Sequence, residues 1–445
     1  MSLSSVRPSP LFLKIAAIVL LSTVFLPWLD SLNNSQYWQF LPFAFGVLLV
    51  LVALSDWVMS RKAPQIALKR DLSEILSLYQ NTAVKFAFAN RSDAPLSFWW
   101  KEKTPDHWQL VTETAYVTLQ ANEECELSYF VTPQKRGAAT IGGTYLRVGS
   151  FIGLWQLTWF KPYPSEHKVY PNFSAITDLS GLNGNLNLRQ SGLKKYNMRG
   201  AGMDFLQLRD YREGEALRQV DWRASSRFNK LISKEFQEEK NQHILIMLDA
   251  GRRMRVQDDD LSYFEHALNA LILLSFTALK NGDKLSIQSF GSQTRWLNQV
   301  KGVQNVSRML HHFYDLYPDT ISSDYIGASQ ELMLKHGKRS LVLLVSCLRD
   351  EDFDELLSAV KLLQDKHLVA VISIQEPIYQ DIEKHAIDEL DEALTYASST
   401  ILLRNIQHNI KKLQHQGVIC IQTEASGLTS SLINTYLSIK KAGFL

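Results

Sequence analysis

Apolar residues open the chain in two nearly unbroken runs, Leu11 to Trp28 and Phe40 to Trp57, joined by a short polar stretch. Each approaches the roughly 20 residues that cross about 30 Å of hydrocarbon. The pattern therefore predicts a transmembrane helical hairpin over 1–62, with helices at about 11–29 and 39–58. Lys14 and Asp56 lie toward the outer ends of the runs, and Trp28, Tyr37, Trp38 and Trp57 stand where interfacial aromatics belong. No small-x-small cleavage site follows the first run, which argues against a removed signal peptide. Arg7 and Lys14 flank one outer end and Arg61 and Lys62 the other, while the joining loop carries Asp30 and no Lys or Arg. The positive-inside rule then predicts a two-pass protein in contact with the lipid bilayer, both termini cytoplasmic.

From 63 to 171 the pattern changes to short, partly alternating segments rich in β-branched and aromatic residues, among them AVKFAFAN, CELSYFVT and ATIGGTYLRVG. Asn, Asp, Pro and Gly separate them. About six or seven such strands predict a β-sandwich domain. A helix is expected around Asp71 to Tyr79. Residues 172–242 begin polar and rich in Gly and Asn, which reads as a linker, and end in a charged segment considered below. From 243 to 445, strands that are apolar throughout (HILIMLD, SLVLLVS, LVAVISI, GVICIQT) alternate with helical stretches. That rhythm predicts a doubly wound α/β domain with a parallel sheet covered on both faces. Ligands of such sheets bind at the carboxyl ends of strands, here Asp249 and its loop and Ser346 to Asp350.

Composition narrows the classes. The 445 residues exceed one compact core. A net charge of +2 gives no polyanion footprint, so nucleic acid is not an expected partner. Cys125, Cys347 and Cys420 are odd in number and far apart. They support neither a disulfide framework nor a zinc knuckle, and read as free, buried thiols of a reducing compartment.

The most distinctive stretch is Arg199 to Glu239. Arg209, Arg218 and Arg227 recur every nine residues, with Asp210, Glu215 and Asp221 among them. Arginine suits bidentate pairing with carboxylates. The segment reads first as an ion-pair cluster pinning a loop, and second as a partner-docking surface. Its residues fall in three blocks at fixed spacing. The first is Gly200, Gly202, Asp204 and Phe205; the second is Leu208, Arg209, Tyr211, Gly214 and Glu215. The third is Arg218, Val220, Asp221, Trp222, Ser225, Ser226 and Arg227.

In these blocks, and in KRG at Lys135–Gly137 and VYP at Val169–Pro171, the chain resembles the bacterial family known as domain of unknown function 58. The resemblance covers essentially the whole chain. It implies that the α/β part is von Willebrand factor A-like and that the membrane is the bacterial inner membrane. It also implies a MoxR-type AAA+ ATPase partner, and a transglutaminase-like membrane protein as a further one. The implied role is a non-enzymatic, membrane-anchored adaptor or scaffold in a chaperone-like assembly or maturation system.

Domains of the von Willebrand A kind commonly hold Mg²⁺ through Asp-x-Ser-x-Ser, a Thr and a second Asp, a donor set that suits a hard dication. The corresponding positions here are Asp249, Gly251 and Arg253, with Cys347 after the later strand and Ser322, Ser323 and Asp324 in the loop of the Thr. Two hydroxyls are lost and a fixed positive charge is added, so the site is expected to be degenerate and metal-free, with Asp249 paired to Arg252 or Arg253. The alternative is a metal-dependent ligand-binding A domain.

No glycine-rich loop closes on Gly-Lys-Ser/Thr, so ATP hydrolysis is not expected of this chain. Gly200-Ala201-Gly202 lacks the third glycine of a dinucleotide fingerprint, since Phe205 takes its place. His311 and His312 are adjacent on a helix and diverge, and Cys347 at a buried strand end reads as core rather than nucleophile. No cofactor and no catalytic residue is expected; an enzyme with an unrecognised site is the remaining alternative.

Overall fold

The computed structural model describes the chain except for 34–39, 111–114, 173–203, 213–216, 218–219, 238–240, 377–389 and 444–445; at 24–33, 40–42, 115, 204–206 and 235–237 it describes the backbone alone. The chain divides into two compact units, Met1–Tyr170 and Pro171–Leu445.

The first unit opens with strand β1 (Ser2–Pro8) and helices α1 (Pro10–Asn33) and α2 (Phe40–Met59). Then follow β2 (Ile66–Asp71), β3 (Ile75–Ser77), β4 (Thr82–Asn90), β5 (Leu96–Lys103) and β6 (Trp108–Leu110). The unit closes with β7 (Ala115–Leu119), β8 (Glu124–Pro133), β9 (Gly137–Gly149) and β10 (Trp155–Tyr170). One sheet runs β1-β10-β9-β5-β7, with β3 added beside β10, and the other runs β2-β4-β8-β6. Alternation decides which side chains enter: Val84, Phe86 and Phe88 of β4 are wholly buried while Lys85 between them is exposed. The two sheets meet face to face through rings, with Phe86 stacked on Trp100 at 5.3 Å and Phe88 against Phe98 at 5.3 Å.

The expected transmembrane hairpin is overturned. Among the described residues no helix is long and apolar enough to cross a membrane, and the two-pass inner-membrane placement falls with it. The end of α2 finds protein rather than headgroups. Asp56 is fully buried and accepts hydrogen bonds from Ser150 Oγ (2.5 Å), Ile152 N (2.9 Å) and Leu154 N (3.2 Å). Trp155 of β10 donates through Nε1 to the Ala53 carbonyl and stacks on Phe12 of α1 at 5.3 Å. Leu20, Leu21 and Phe43 of the two helices are exposed. The helix expected at Asp71–Tyr79 is also absent: Ile75–Ser77 pairs with β10, with Leu76 and Ser77 buried and Ile75 exposed, since so short an apolar run fits a sheet edge as well as a helix turn.

The second unit begins, in its described part, with the antiparallel pair β11 (Asp204–Asp210) and β12 (Ile232–Gln237), which flank the short helix α3 (Trp222–Phe228). A large sheet follows, built from β13 (His243–Asp249), β16 (Lys284–Phe290), β17 (Trp296–Lys301), β18 (Leu341–Ser346), β19 (Leu368–Gln375) and β20 (Ile419–Glu424). Between β13 and β16 lies a two-residue hairpin, β14 (Gln257–Asp258) with β15 (Leu261–Ser262). The sheet order is β17-β16-β13-β18-β19-β20, parallel throughout except for antiparallel β17 at the edge. Its strands alternate between two cores. Ile244, Ile246 and Leu248 pack with α4 (Tyr263–Lys280), α5 (Val306–Phe313) and α9 (Leu428–Ala442). Leu245 and Met247 pack on the other face with α6 (Tyr325–Lys335), α7 (Phe353–Gln364) and α8 (Leu390–His415). Ser262 and Glu265 form a capping box at the start of α4, which fixes where that long buried helix begins.

Inside the first unit, Arg70 of β2 donates through Nε to Glu102 of β5 at 2.6 Å, and through Nη1 to Ser165 and the Tyr163 carbonyl on β10. Burial raises the Glu102 carboxyl to about 7 despite the adjacent guanidinium. Removing one member of a buried pair strands the other charge, so Arg70→Met is expected to destabilise by about 3–5 kcal/mol, with Arg70→Met/Glu102→Leu regaining most of it. Denaturant unfolding of both variants checks this; equal losses in the single and double variants would contradict it.

Candidate functional site

The carboxyl ends of β13 and β18 and the start of α6 meet at one carboxylate. Asp249, the last residue of β13, is almost wholly buried. Its Oδ1 accepts from Ser323 Oγ at 2.5 Å and from Gly251 N at 2.8 Å. Its Oδ2 accepts from Ser346 Oγ at 2.5 Å, with the Tyr325 hydroxyl 3.3 Å away and itself 2.8 Å from Ser346 Oγ. Burial pushes the Asp249 carboxyl above the usual carboxylate range, and the Ser323 and Ser346 hydroxyls and the Gly251 and Tyr325 donors pull against it. Burial likewise lifts the Tyr325 hydroxyl well above its ordinary value.

Backbone space sets this geometry. A Cβ at Gly251 would lie 2.1 Å from Ser323 Oγ, and one at Gly291, which has φ +84°, would lie 2.7 Å from Gly251 N. Two loops can therefore touch only as glycines. Ser323 reaches the carboxylate because Asp324 caps α6 through Gly327 N at 2.7 Å, anchoring the loop one residue away.

The expected pairing of Asp249 with Arg252 or Arg253 is not what forms. Arg253 instead binds Asp352 through Nε and Glu351 at 2.5 Å, and Arg252 lies 3.8 Å from Glu351. Those carboxylates raise the Arg253 pKa further despite its partial burial. The arginines thus leave Asp249 to neutral donors. Cys347 is buried, and burial pushes its thiol up to about 12. The recess beside it, shared with Arg349 and Glu376, has a volume of only ≈ 10 Å³, too small for a substrate. Cys420 is also buried, but Cys125 is half-buried, contrary to expectation.

A divalent cation does not fit the Asp249 cluster. The cluster offers one carboxylate, with both oxygens accepting hydrogen bonds, and the hydroxyls of Ser323, Ser346 and Tyr325, which are turned to it or to each other, whereas a hard dication needs several oxygen ligands turned toward it. Among the described residues, no three His, Cys, Asp or Glu side chains are placed to hold a metal.

The signature segment is split by the structure. Gly200, Gly202, Gly214, Glu215 and Arg218 lie outside the described residues, and Asp204 and Phe205 are described by backbone alone. Asp221 caps α3, accepting from Arg223 N (3.1 Å) and Ala224 N (3.0 Å). The Ala224 and Arg223 N–H groups and Lys234 hold its carboxyl below the usual range. Ser225 is buried and accepts from Ile232 N at 2.8 Å, locking α3 onto β12. Tyr211 N donates to the Leu231 carbonyl. Among the described residues Asp210 pairs with Lys230 at 2.7 Å and Asp221 with Lys234 at 3.3 Å. Arg209 is half-buried and Arg227 exposed. Trp222 is 64% exposed, and Phe228, Leu208, Leu217 and Leu231 are exposed as well.

At the opposite, amino edge of the sheet lies a group that spacing did not reveal. His243 begins β13, His336 ends α6 and His367 precedes β19. All three are buried, with ring centroids 4.2 Å apart for His243–His336 and 6.0 Å for His336–His367. Burial, with Lys284, Lys338 and Lys366 nearby, lowers His243 and His367 to about 4. Neither ring nitrogen of His367 has a hydrogen-bond partner among the described residues.

Residues 207–410 match the family described as "Protein of unknown function DUF58", rather less than half of the chain. The uncharacterized protein YeaD of Bacillus subtilis (strain 168) is 23% identical over 213 residues, 46% of this chain and 49% of that protein, so the match spans about half of the relative. Among solved structures, Salmonella alpha-2-macroglobulin reacted with methylamine is 13% identical over 24% of this chain and 7% of that one, with a TM-score of 0.20. The FixG-related protein from Vibrio parahaemolyticus is 8% identical over 24% of this chain and 98% of that one, with a TM-score of 0.18. Scores of that size carry no argument.

Three outcomes are expected at the two edges of the sheet. Asp249→Ala leaves several buried donors without an acceptor and should cost about 3 kcal/mol or more. Titration of the wild type with Mg²⁺ or Mn²⁺ should give no micromolar binding; binding that Asp249→Ala abolishes would contradict the closed cluster. For the histidines, the folded pKa of about 4 lies below the ordinary 6.5. The unfolded chain therefore binds more protons between those values, and stability falls as pH drops from 6.5 toward 4. Denaturant midpoints across that window should fall, and His367→Leu should shrink the fall; an unchanged slope would count against the reading.

Proposed function

From the premise that the chain belongs to the DUF58 family of proteins of unknown function, we propose that it is a non-enzymatic docking module whose contact surface is the β11–α3–β12 hairpin. The observation that carries this reading is the row of exposed apolar side chains there: Trp222, Phe228, Leu208, Leu217 and Leu231. Large exposed aromatics set among charges are the usual anchors of protein interfaces. The charged residues of the signature have structural duties, since Asp221 caps α3 and Asp210 and Asp221 engage lysines. The Ser225–Ile232 hydrogen bond fastens α3 to β12 beside these apolar side chains, which lowers the entropy lost on binding.

The α/β sheet is read as von Willebrand A-like in its strand order and antiparallel edge, with the usual metal cluster replaced by a hydroxyl-capped aspartate. An aspartate closed by its own hydroxyls suits a structural scaffold better than a ligand-gated site. The partner that the family resemblance suggests is a MoxR-type AAA+ ATPase, and the whole protein is read as an adaptor for it.

The test is co-purification of the tagged full-length chain with the MoxR-type ATPase of the same organism. Trp222→Ala/Phe228→Ala should cut recovery about tenfold or more, the scale of two interface anchors, while circular dichroism stays unchanged. Recovery equal to wild type, or no ATPase recovered with wild type, sinks the proposal.

A further inference from the structure

The outward face of the β1-β10-β9-β5-β7 sheet carries a cavity of ≈ 280 Å³. Register explains its lining. Ser5 pairs with Thr158, Thr158 with Arg147, Arg147 with Trp99, and Trp99 with Tyr116, so these side chains form one row across the sheet. Two residues along, Lys101 pairs with Tyr145 and Tyr145 with Phe160 on the same face. Arg7 lies two residues beyond Ser5 on β1. The intervening residues Phe98, Leu146 and Leu157 point inward and are buried, so the row faces outward.

Three features set the chemistry of this cavity. Arg7, Lys101 and Arg147 line it, no carboxylate does, and none of the three has an ion-pair partner among the described residues. Three uncompensated cations in one small cavity call for a ligand with more than one negative charge. Two of them are arginines, whose planar forks suit phosphate oxygens. Trp99 is 46% exposed, with Tyr116 at 5.0 Å behind it and Tyr145 across the cavity, which leaves flat apolar surface uncovered. Such rings take a stacked planar base. Ser5 and Thr158 add neutral hydroxyls. The volume falls just below the roughly 300–1,000 Å³ of small-molecule sites, which suits a single nucleotide rather than a polymer.

We infer that this cavity is a binding site for a mononucleotide bearing two or more phosphates. The phosphates are held by Arg7, Arg147 and Lys101, and the base lies on Trp99. The inference is independent of the hairpin reading and concerns the other unit of the chain.

Calorimetric titration of the full-length chain tests it, with ADP, pyrophosphate and a short polyglutamate peptide as probes. ADP should bind with a Kd well below about 1 mM, more weakly as salt is raised. Arg147→Ala and Arg7→Ala should each weaken ADP and pyrophosphate roughly tenfold, the scale of one charge-assisted phosphate contact. Trp99→Ala should weaken ADP by about tenfold, the scale of one base stacking on a ring, and leave pyrophosphate unchanged. The inference is overturned by no ADP binding up to about 1 mM, by a Kd unmoved in Arg147→Ala, by equal affinity for ADP and pyrophosphate, or by tighter binding of the peptide.

Discussion

A carboxylate that enters a protein interior must meet donors there, because leaving it bare costs more than a single contact returns. This constraint organises much of the chain. Asp249 gathers the ends of two strands and two loops by accepting from Ser323, Ser346 and Gly251. Asp283 does the same near the amino edge of the sheet, holding Gln242 N, the Tyr436 hydroxyl and Lys440 Nζ, and so fastening α9 to the turn before β16. In the first unit Asp56 fastens α2 to the turn between β9 and β10, and Glu102 joins the two sheets through Arg70. Each of the four lies on a regular element or next to one, and each reaches a segment distant in sequence. The apolar cores supply most of the driving force, but these carboxylates decide which loops close against which strands.

The same constraint explains what could be read along the chain. The apolar strands of the large sheet are legible because a strand buried on both faces shows as a continuous run, as in HILIMLD and LVLLVS. The period-2 strands of the first unit are legible because one face of each is buried. Asp249 and the Ser323 loop were visible as candidates from their positions after a strand and before a helix. Their union was not, because Ser323 and Ser346 lie 74 and 97 residues away along the chain. Arg253 misled for a related reason. Proximity in sequence made it the obvious partner of Asp249, yet Asp352, 99 residues on, is the partner it finds.

The first two apolar runs show where hydropathy alone stops. A run of Leu, Val and Phe reports only that its side chains avoid water, and the destination depends on partners the run does not contain. Asp56 reads as a charge at a membrane boundary, but Ser150, Ile152 and Leu154 give it a buried, fully hydrogen-bonded place in the protein. In the signature, among the described residues, Asp221 caps a helix and Asp210 and Asp221 meet lysines, while Glu215 and Arg218 lie outside the described residues.

The two edges of the large sheet carry opposite solutions to one problem. At the carboxyl edge a buried acid is surrounded by hydroxyls and a backbone N–H. None of these carries charge, so the cluster is held by directional hydrogen bonds that need fixed geometry, and Gly251 and Gly291 supply the space. At the amino edge three buried bases, His243, His336 and His367, lie beside lysines rather than acids, and remain neutral because burial and like charge both oppose a proton. The carboxyl-edge cluster satisfies its polar atoms, while the amino-edge cluster leaves both nitrogens of His367 without a partner among the described residues. An edge closed by satisfied neutral donors resists change, and an edge built on suppressed protonation yields to acid. Toward low pH the sheet therefore loses stability at the end of its strands where the three histidines lie.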